Sequence, residues 1–160
     1  MSEEVDDATL IERFPWVQIT HDSKHLYRGW LDKKLLINRC DECGVFHHPP
    51  KPVCPDCWST RITPTEVAGD GVVFLAMHLH QGAPAPGVDY TKGPHPVVAV
   101  ELDGTNGIRF SSTVIDCPVE EVVIGLPVEL TWIERYGAPF PVFRPRSGAG
   151  SAAGSGGSAS

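Results

Sequence analysis

The sequence predicts a mostly β protein: a short N-terminal helix, a cysteine-caged ribbon and then a five-stranded barrel. Three observations predict it. Cys40-Asp41-Glu42-Cys43 and Cys54-Pro55-Asp56-Cys57 form two Cys-x-x-Cys pairs ten residues apart. An amphipathic stripe, Leu26, Tyr27, Trp30 and Leu31, precedes them. After Thr63-Pro64, short apolar runs alternate with period two between Gly, Pro and Asp turns.

Residues 1–21 read as an acidic arm. Thr9-Leu10-Ile11-Glu12 has the form of a capping box, so the arm is a short helix or a loose segment. Phe14-Pro15 ends any helix there, because the residue before proline is pushed out of the α region. A second helix is expected over 22–34, capped by Asp22 or Ser23, with Lys33 and Lys34 near its C-terminal dipole. Its apolar stripe packs on its own domain or docks on a partner chain.

Residues 35–62 are the ribbon. Two residues between cysteines let both sulfurs of a pair turn to one point, and two facing knuckles build a tetrahedral four-sulfur cage. Gly44 suits the tight turn after the first knuckle, and Pro55 stiffens the second. Leu35 to Arg39 reads as a strand entering the first knuckle and Trp58 to Ile62 as one leaving the second. A redox Cys-x-x-Cys normally precedes a helix, which Pro49, Pro50, Pro52 and Pro55 forbid. Disulfides would need an oxidising compartment, and Met1-Ser2-Glu3-Glu4 lacks the basic start of a signal sequence. A structural zinc ribbon on Cys40, Cys43, Cys54 and Cys57 is the expectation, with iron in a rubredoxin-like site open, since four sulfurs alone do not separate the two metals. His47 and His48 flank the cage and are expected in surface or supporting roles, because the thiolates already fill four positions.

Residues 63–145 carry the barrel. Val72 to His80 alternates Val73, Leu75, Met77 and Leu79, expected to face the core, against Phe74, Ala76, His78 and His80. Gln81 to Pro96 is a long Gly- and Pro-rich loop bearing Tyr90 and Lys92. Pro96 to Leu102, the turn Asp103 to Gly107, Ile108 to Ile115, a helical turn at Val119 to Val122, Val128 to Arg135 and Phe140 to Pro145 complete five strands, for which an OB-fold barrel is the leading architecture. Pro141 places the last strand at an edge. Residues 146–160 are Ser, Gly and Ala after Arg146, a composition that buries no apolar surface and is expected to be disordered.

With 41% hydrophobic residues in 160, the chain has a core to fill. No apolar run approaches the roughly 18 residues of a membrane span, so a cytoplasmic protein is expected. Thirteen basic against twenty acidic residues give −7, which argues against a nucleic-acid binder. From Lys24 to Arg61, seven bases face four acids, or +3. A four-thiolate zinc cage contributes about −2, leaving enough positive character for one phosphorylated small molecule but not a polymer. Cys117 reads as a small buried hydrophobe, and no Ser-His-Asp pattern or phosphate-cradling loop is present.

Taken in order, Tyr27-Arg28-Gly29-Trp30-Leu31, Leu36 to Cys43, His48-Pro49-Pro50 with Pro52, Cys54-Pro55-Asp56-Cys57, Gly69 to Val73, Pro96 to Leu102, Gly125-Leu126-Pro127-Val128 and Phe143-Arg144-Pro145 resemble the acyl-CoA-associated zinc-ribbon plus OB-fold proteins, long catalogued as a domain of unknown function. These accompany thiolase-fold enzymes. The resemblance implies a non-catalytic subunit of a hetero-oligomer, two plus two, that helps form the site for a coenzyme A thioester. The nearest in kind are partners of lipid-transfer-protein-like aldolases that cleave steroid side chains in bacteria. Other members look like partners of acyl-transferring thiolases. Candidate ligand or partner contacts are Tyr27, Trp30, Lys51, Arg61, His80, Tyr90 and Lys92, with His80 matching a histidine common in the family. The loop Gln81 to His95 departs from the commoner pattern in length and leaves the substrate open. A single-stranded nucleic-acid module and a rubredoxin-like electron carrier are the competing readings.

Overall fold

The computed structural model describes residues 4–148 apart from Pro84 and Pro86; the expected disordered tail lies almost wholly outside them. The chain is mostly β. Two helices, α1 (Asp7–Arg13) and α2 (Lys24–Leu31), precede a three-stranded sheet of β1 (Leu35–Cys40), β2 (Phe46–His47) and β3 (Ile62–Val67). A five-stranded antiparallel sheet follows, of β4 (Gly71–Leu79), β5 (His95–Leu102), β6 (Arg109–Ser112), β7 (Pro127–Arg135) and β8 (Ala138–Pro145). Among the described residues no helix is long and apolar enough to cross a membrane.

The arm is helical, but its cap is not Thr9. Asp6 stands outside the helix and accepts a hydrogen bond from the Thr9 N–H at 2.7 Å, so Thr9 is the residue capped. Leu10 and Phe14 are fully buried, which fixes the arm to the core. In α2, Ser23 is the N-cap without a side-chain cap bond; its hydroxyl accepts from the Thr20 N–H at 2.9 Å. The helix ends at Leu31, three residues before the expected end. Lys33 takes φ 55°, and the Lys34 N–H returns to the Gly29 carbonyl at 2.8 Å, turning the chain straight into β1. Gly29 permits that turn, because a Cβ there would meet Leu36 Cγ and Lys34 O, both at 2.8 Å.

Leu26, Gly29 and Trp30 are buried, so the apolar stripe packs on its own molecule. Trp30 is the hub: its ring lies 4.8 Å from Tyr27, 5.6 Å from Phe140, 5.9 Å from Phe14 and 6.5 Å from Phe110 between centroids. Arm, helix, ribbon strand (Leu35, Ile37) and barrel (Val98, Val100, Phe143) thereby share one continuous core.

β1 is central in the order β2-β1-β3. The strand leaving the cage starts at Ile62, not Trp58, and runs through Pro64, which an edge strand tolerates. Trp58 instead takes φ 62° and is 81% exposed.

The barrel order is β6-β5-β4-β7-β8. It closes through a parallel bridge between Val114 and Phe143, with the Phe143 N–H donating to Thr113 O at 2.9 Å and the Ile115 N–H to Phe143 O at 2.8 Å. A Cβ on Gly71 would sit 2.3 Å from Glu101 O, so only glycine lets β4 and β5 approach here. The expected inward face of β4 holds only at Val73. A bulge between Val73 and Leu75 adds one residue, and Leu75, Met77 and Leu79 point outward. The helical turn at Val119–Glu121 is a single 3-10 turn.

Candidate functional site

The two knuckles are near copies. In the first, the Cys40 N–H bonds Val45 O and the Gly44 N–H bonds Cys40 O, both at 2.9 Å. In the second, the Cys54 N–H bonds Ser59 O at 2.9 Å and the Trp58 N–H bonds Cys54 O at 3.0 Å. Gly44 (φ 74°) and Trp58 (φ 62°) occupy equivalent left-handed positions, which glycine adopts freely and tryptophan does not. The Asp41 N–H bonds Arg61 O at 3.0 Å and the Thr63 hydroxyl bonds Asp41 at 3.0 Å, tying one knuckle to the strand that leaves the other.

The geometry brings all four predicted ligands together: the Sγ atoms of Cys40, Cys43, Cys54 and Cys57 lie within 4.8 Å of one another. Cys40 to Cys57 is 3.5 Å and Cys43 to Cys54 is 3.6 Å. A zinc–sulfur bond of about 2.3 Å sets a tetrahedral edge of about 3.8 Å, so the cage fits a zinc-sized ion. The protonation chemistry agrees. The Cys43 N–H holds the Cys40 thiol below its ordinary value. At Cys57 the Ser59 N–H acts the same way, but desolvation and the three neighbouring sulfurs outweigh it and push the thiol up to about 12. Four thiols so close cannot all ionise without a cation between them.

A second feature is an open groove of about 610 Å³ between α2, the His48-Pro49-Pro50 segment and β6. Leu26, Tyr27, Trp30 and Phe110 supply its apolar lining, and Ser23, His48 and Arg109 its polar groups. Burial pushes the His48 imidazole down, with His47 adding to the effect, and its ring packs 5.3 Å from Phe110. The groove therefore presents a neutral imidazole. Arg109 borders it, its guanidinium 3.4 Å from the centre of the Phe74 ring and its Nε 3.5 Å from Glu101.

The seven contact candidates are dispersed. Tyr27 and Trp30 line the groove. Lys51 stands with His21, His25 and Asn38 around a smaller cleft of about 230 Å³ on the ribbon. Arg61 is paired with Glu42. His80 is exposed beyond β4, Tyr90 packs over Gly82, and exposed Lys92 pairs with Asp89 at 3.5 Å. His78 and His80 form no pair: His78 Nε2 lies 3.1 Å from Val122 O.

Of the surface and supporting roles expected for His47, the surface one does not hold. The residue is buried in β2 opposite Asn38, with neither ring nitrogen hydrogen-bonded. Cys117 is half-buried, and burial, with Glu121 and Glu120, pushes its thiol up, away from nucleophilic use. Arg109 and Phe110 are groove residues that strand alternation alone does not single out.

Residues 29–63 match the family model described as the ChsH2 rubredoxin-like zinc ribbon domain, and residues 64–132 that of the ChsH2 C-terminal OB-fold domain. A probable enoyl-CoA hydratase alpha subunit of Thermomonospora curvata is 33% identical over 132 residues, covering 82% of this chain and 40% of that protein. The chain thus spans well under half of that relative. A DUF35 domain-containing scaffold protein of Methanocaldococcus jannaschii is 30% identical over 111 residues, covering 66% of this chain and 75% of that protein. Among solved structures, a chain of an Ltp2-ChsH2(DUF35) aldolase superposes with a TM-score of 0.71 at 33% identity, over 81% of this chain and 98% of that one. A DUF35 protein of Sulfolobus solfataricus, 13% identical with a TM-score of 0.56 over 88% of this chain and 95% of that one, shares the fold. With both halves matched in order and the cysteine cage assembled, the chain belongs to the ChsH2 family of rubredoxin-like zinc-ribbon and OB-fold (DUF35) proteins.

Proposed function

We propose that this chain is a non-catalytic subunit of a thiolase-fold enzyme acting on acyl-CoA thioesters, with retro-aldol cleavage of a steroid side chain as the reaction. The observation that carries the reading is the superposition on a chain of the Ltp2-ChsH2(DUF35) aldolase over 98% of that chain's length. The site chemistry is consistent with it. A zinc ion held by four thiolates has no open position for water or substrate, so its role is structural. The groove lies within the size range of small-molecule sites, and its apolar lining with neutral His48 and a bordering Arg109 suits the acyl or pantetheine part of a thioester. Hetero-oligomerisation with an enzyme supplies the reacting groups that the groove lacks.

A nucleic-acid role finds no support in the charges. Arg28, Arg61, Arg109, Arg144 and Arg146 are each paired with a carboxylate. The scaffold name of the Methanocaldococcus jannaschii relative favours one second reading, a bridge carrying thioesters between an acyl-transferring thiolase and another enzyme.

The test is co-expression with candidate thiolase-fold enzymes, size-exclusion chromatography and a thioester-cleavage assay on the pooled complex. Co-elution with retro-aldol activity supports the aldolase reading, and co-elution with acyl transfer alone supports the bridge. No co-elution with any candidate refutes both.

A further inference from the structure

Beyond Val73, β4 leaves the barrel wall. Its pairing with β7 covers only Gly71 and Val72, and Val73 exchanges bonds with Gly125 and Leu126, whereas pairing with β5 continues to Leu79. Leu75 and Ala76 still have β6 behind them, through Ala99 and Val98, but the hairpin end, Met77 to Leu79 on His95 to Val97, is two strands with no third among the described residues, an arrangement that is marginal in water unless something covers it. The bulge turns its apolar residues outward. Val72, Phe74, Leu75, Met77 and Leu79 lie between 37% and 47% exposed, and Ile124, carried beside β4 by the Val73 bonds, reaches 67%. At about 200 Å² per side chain this is roughly 550 Å² of apolar surface. That is near the upper end of the roughly 300–600 Å² seen for the largest patch of a monomer. It also supplies most of the roughly 800 Å² that one partner contributes to a stable complex.

We propose that this outer face of β4 and β5 docks the enzyme subunit of the complex, an inference that rests on the accessory role above. The choice of occupant follows from continuity with the groove. Arg109 belongs to both features: it packs on Phe74 of the face and borders the groove. An enzyme seated on the face brings its active site to the groove mouth. A second copy of this chain would cover the groove with a surface that offers no reacting groups.

The test uses the full chain, wild type and Leu75→Asp/Met77→Asp, with a co-expressed thiolase-fold enzyme. Both positions are exposed, so the variant should keep its far-UV spectrum and metal content. The expected result is binding at least about 100-fold weaker, as for loss of two anchor residues. A probe without substitution runs in parallel: dilute peroxide oxidises Met77 in the free chain and at least about tenfold more slowly in the complex. Unchanged affinity and unprotected Met77, with the wild type still co-eluting, overturn the face and leave the accessory role standing. A wild-type dimer that the substitutions split while enzyme binding persists overturns it in favour of self-association. A wild type that binds no enzyme overturns face and role together.

Discussion

Replacing Trp30 by alanine should destabilise the whole chain rather than one of its parts. The side chain is 6% exposed, and its indole meets four rings that belong to the arm, α2, β6 and β8. Truncating a buried aromatic costs about 3–5 kcal/mol. Four edge-on aromatic pairs at about 0.5–1.5 kcal/mol each give a consistent range. Against a total of about 5–15 kcal/mol for a domain, that is about a fifth of the stability or more. Trp30 Nε1 is buried with no hydrogen-bond partner, so Trp30→Phe removes an unsatisfied donor along with area and should cost under about 1.5 kcal/mol. Urea unfolding followed by far-UV circular dichroism, with the reactivity of the four cage thiols read across the same titration, measures both. The expected record is one transition, with thiols and dichroism moving together. A loss below about 1.5 kcal/mol for the alanine variant, or thiols that stay protected while the barrel melts, would refute the single shared core.

In metal-loaded protein at most the half-buried Cys117 should react with a thiol reagent, and chelation should expose all five cysteines and melt the ribbon; five reactive thiols before chelation would exclude the cage. Colour separates the metals, since a zinc protein is colourless and a four-sulfur iron site red. Trp58→Gly should raise stability by roughly 0.5–1 kcal/mol, because glycine relieves a left-handed residue at an exposed site while adding some unfolded-state entropy; a loss would show that the indole packs. Burial holds His48 and His25 below their ordinary value. Both rings are neutral in either state well above about pH 6.5, so stability is intact there and is lost as pH falls through that value, where the unfolded chain takes up protons first. The urea midpoint should therefore drop between about pH 7 and 5.5, and drop less in His48→Gln; an equal slope in that variant would remove His48 from the argument.

Much of this architecture was legible in the residues. The spacing of Cys40, Cys43, Cys54 and Cys57 defines a tetrahedron because so few backbone paths bring four sulfurs together at that spacing. The period-two runs of β5 and β7 leave one face for a core, and they form as read. What escaped depends on partners distant in sequence. The bulge at Phe74 reverses the alternation of β4 because β5 and the 125–126 segment together hold Val73 in place. The cap of α1 falls on Asp6 because Leu10 must face the core. Residue type, helical spacing and the family resemblance point to the contact candidates, and none of these says where their strands and loops end. Hence Tyr27 and Trp30 meet in the groove while Lys51 and Lys92 lie elsewhere.

The central claim is that the chain supports the chemistry of another protein. Its most direct test is a kinetic titration: steady-state thioester cleavage by the chain alone, by the thiolase-fold enzyme alone, and by the enzyme with increasing chain. The account predicts no turnover by the chain alone and a rate that rises with added chain until the enzyme is saturated. Turnover by the chain alone, or an enzyme whose rate does not respond to it, would contradict the account.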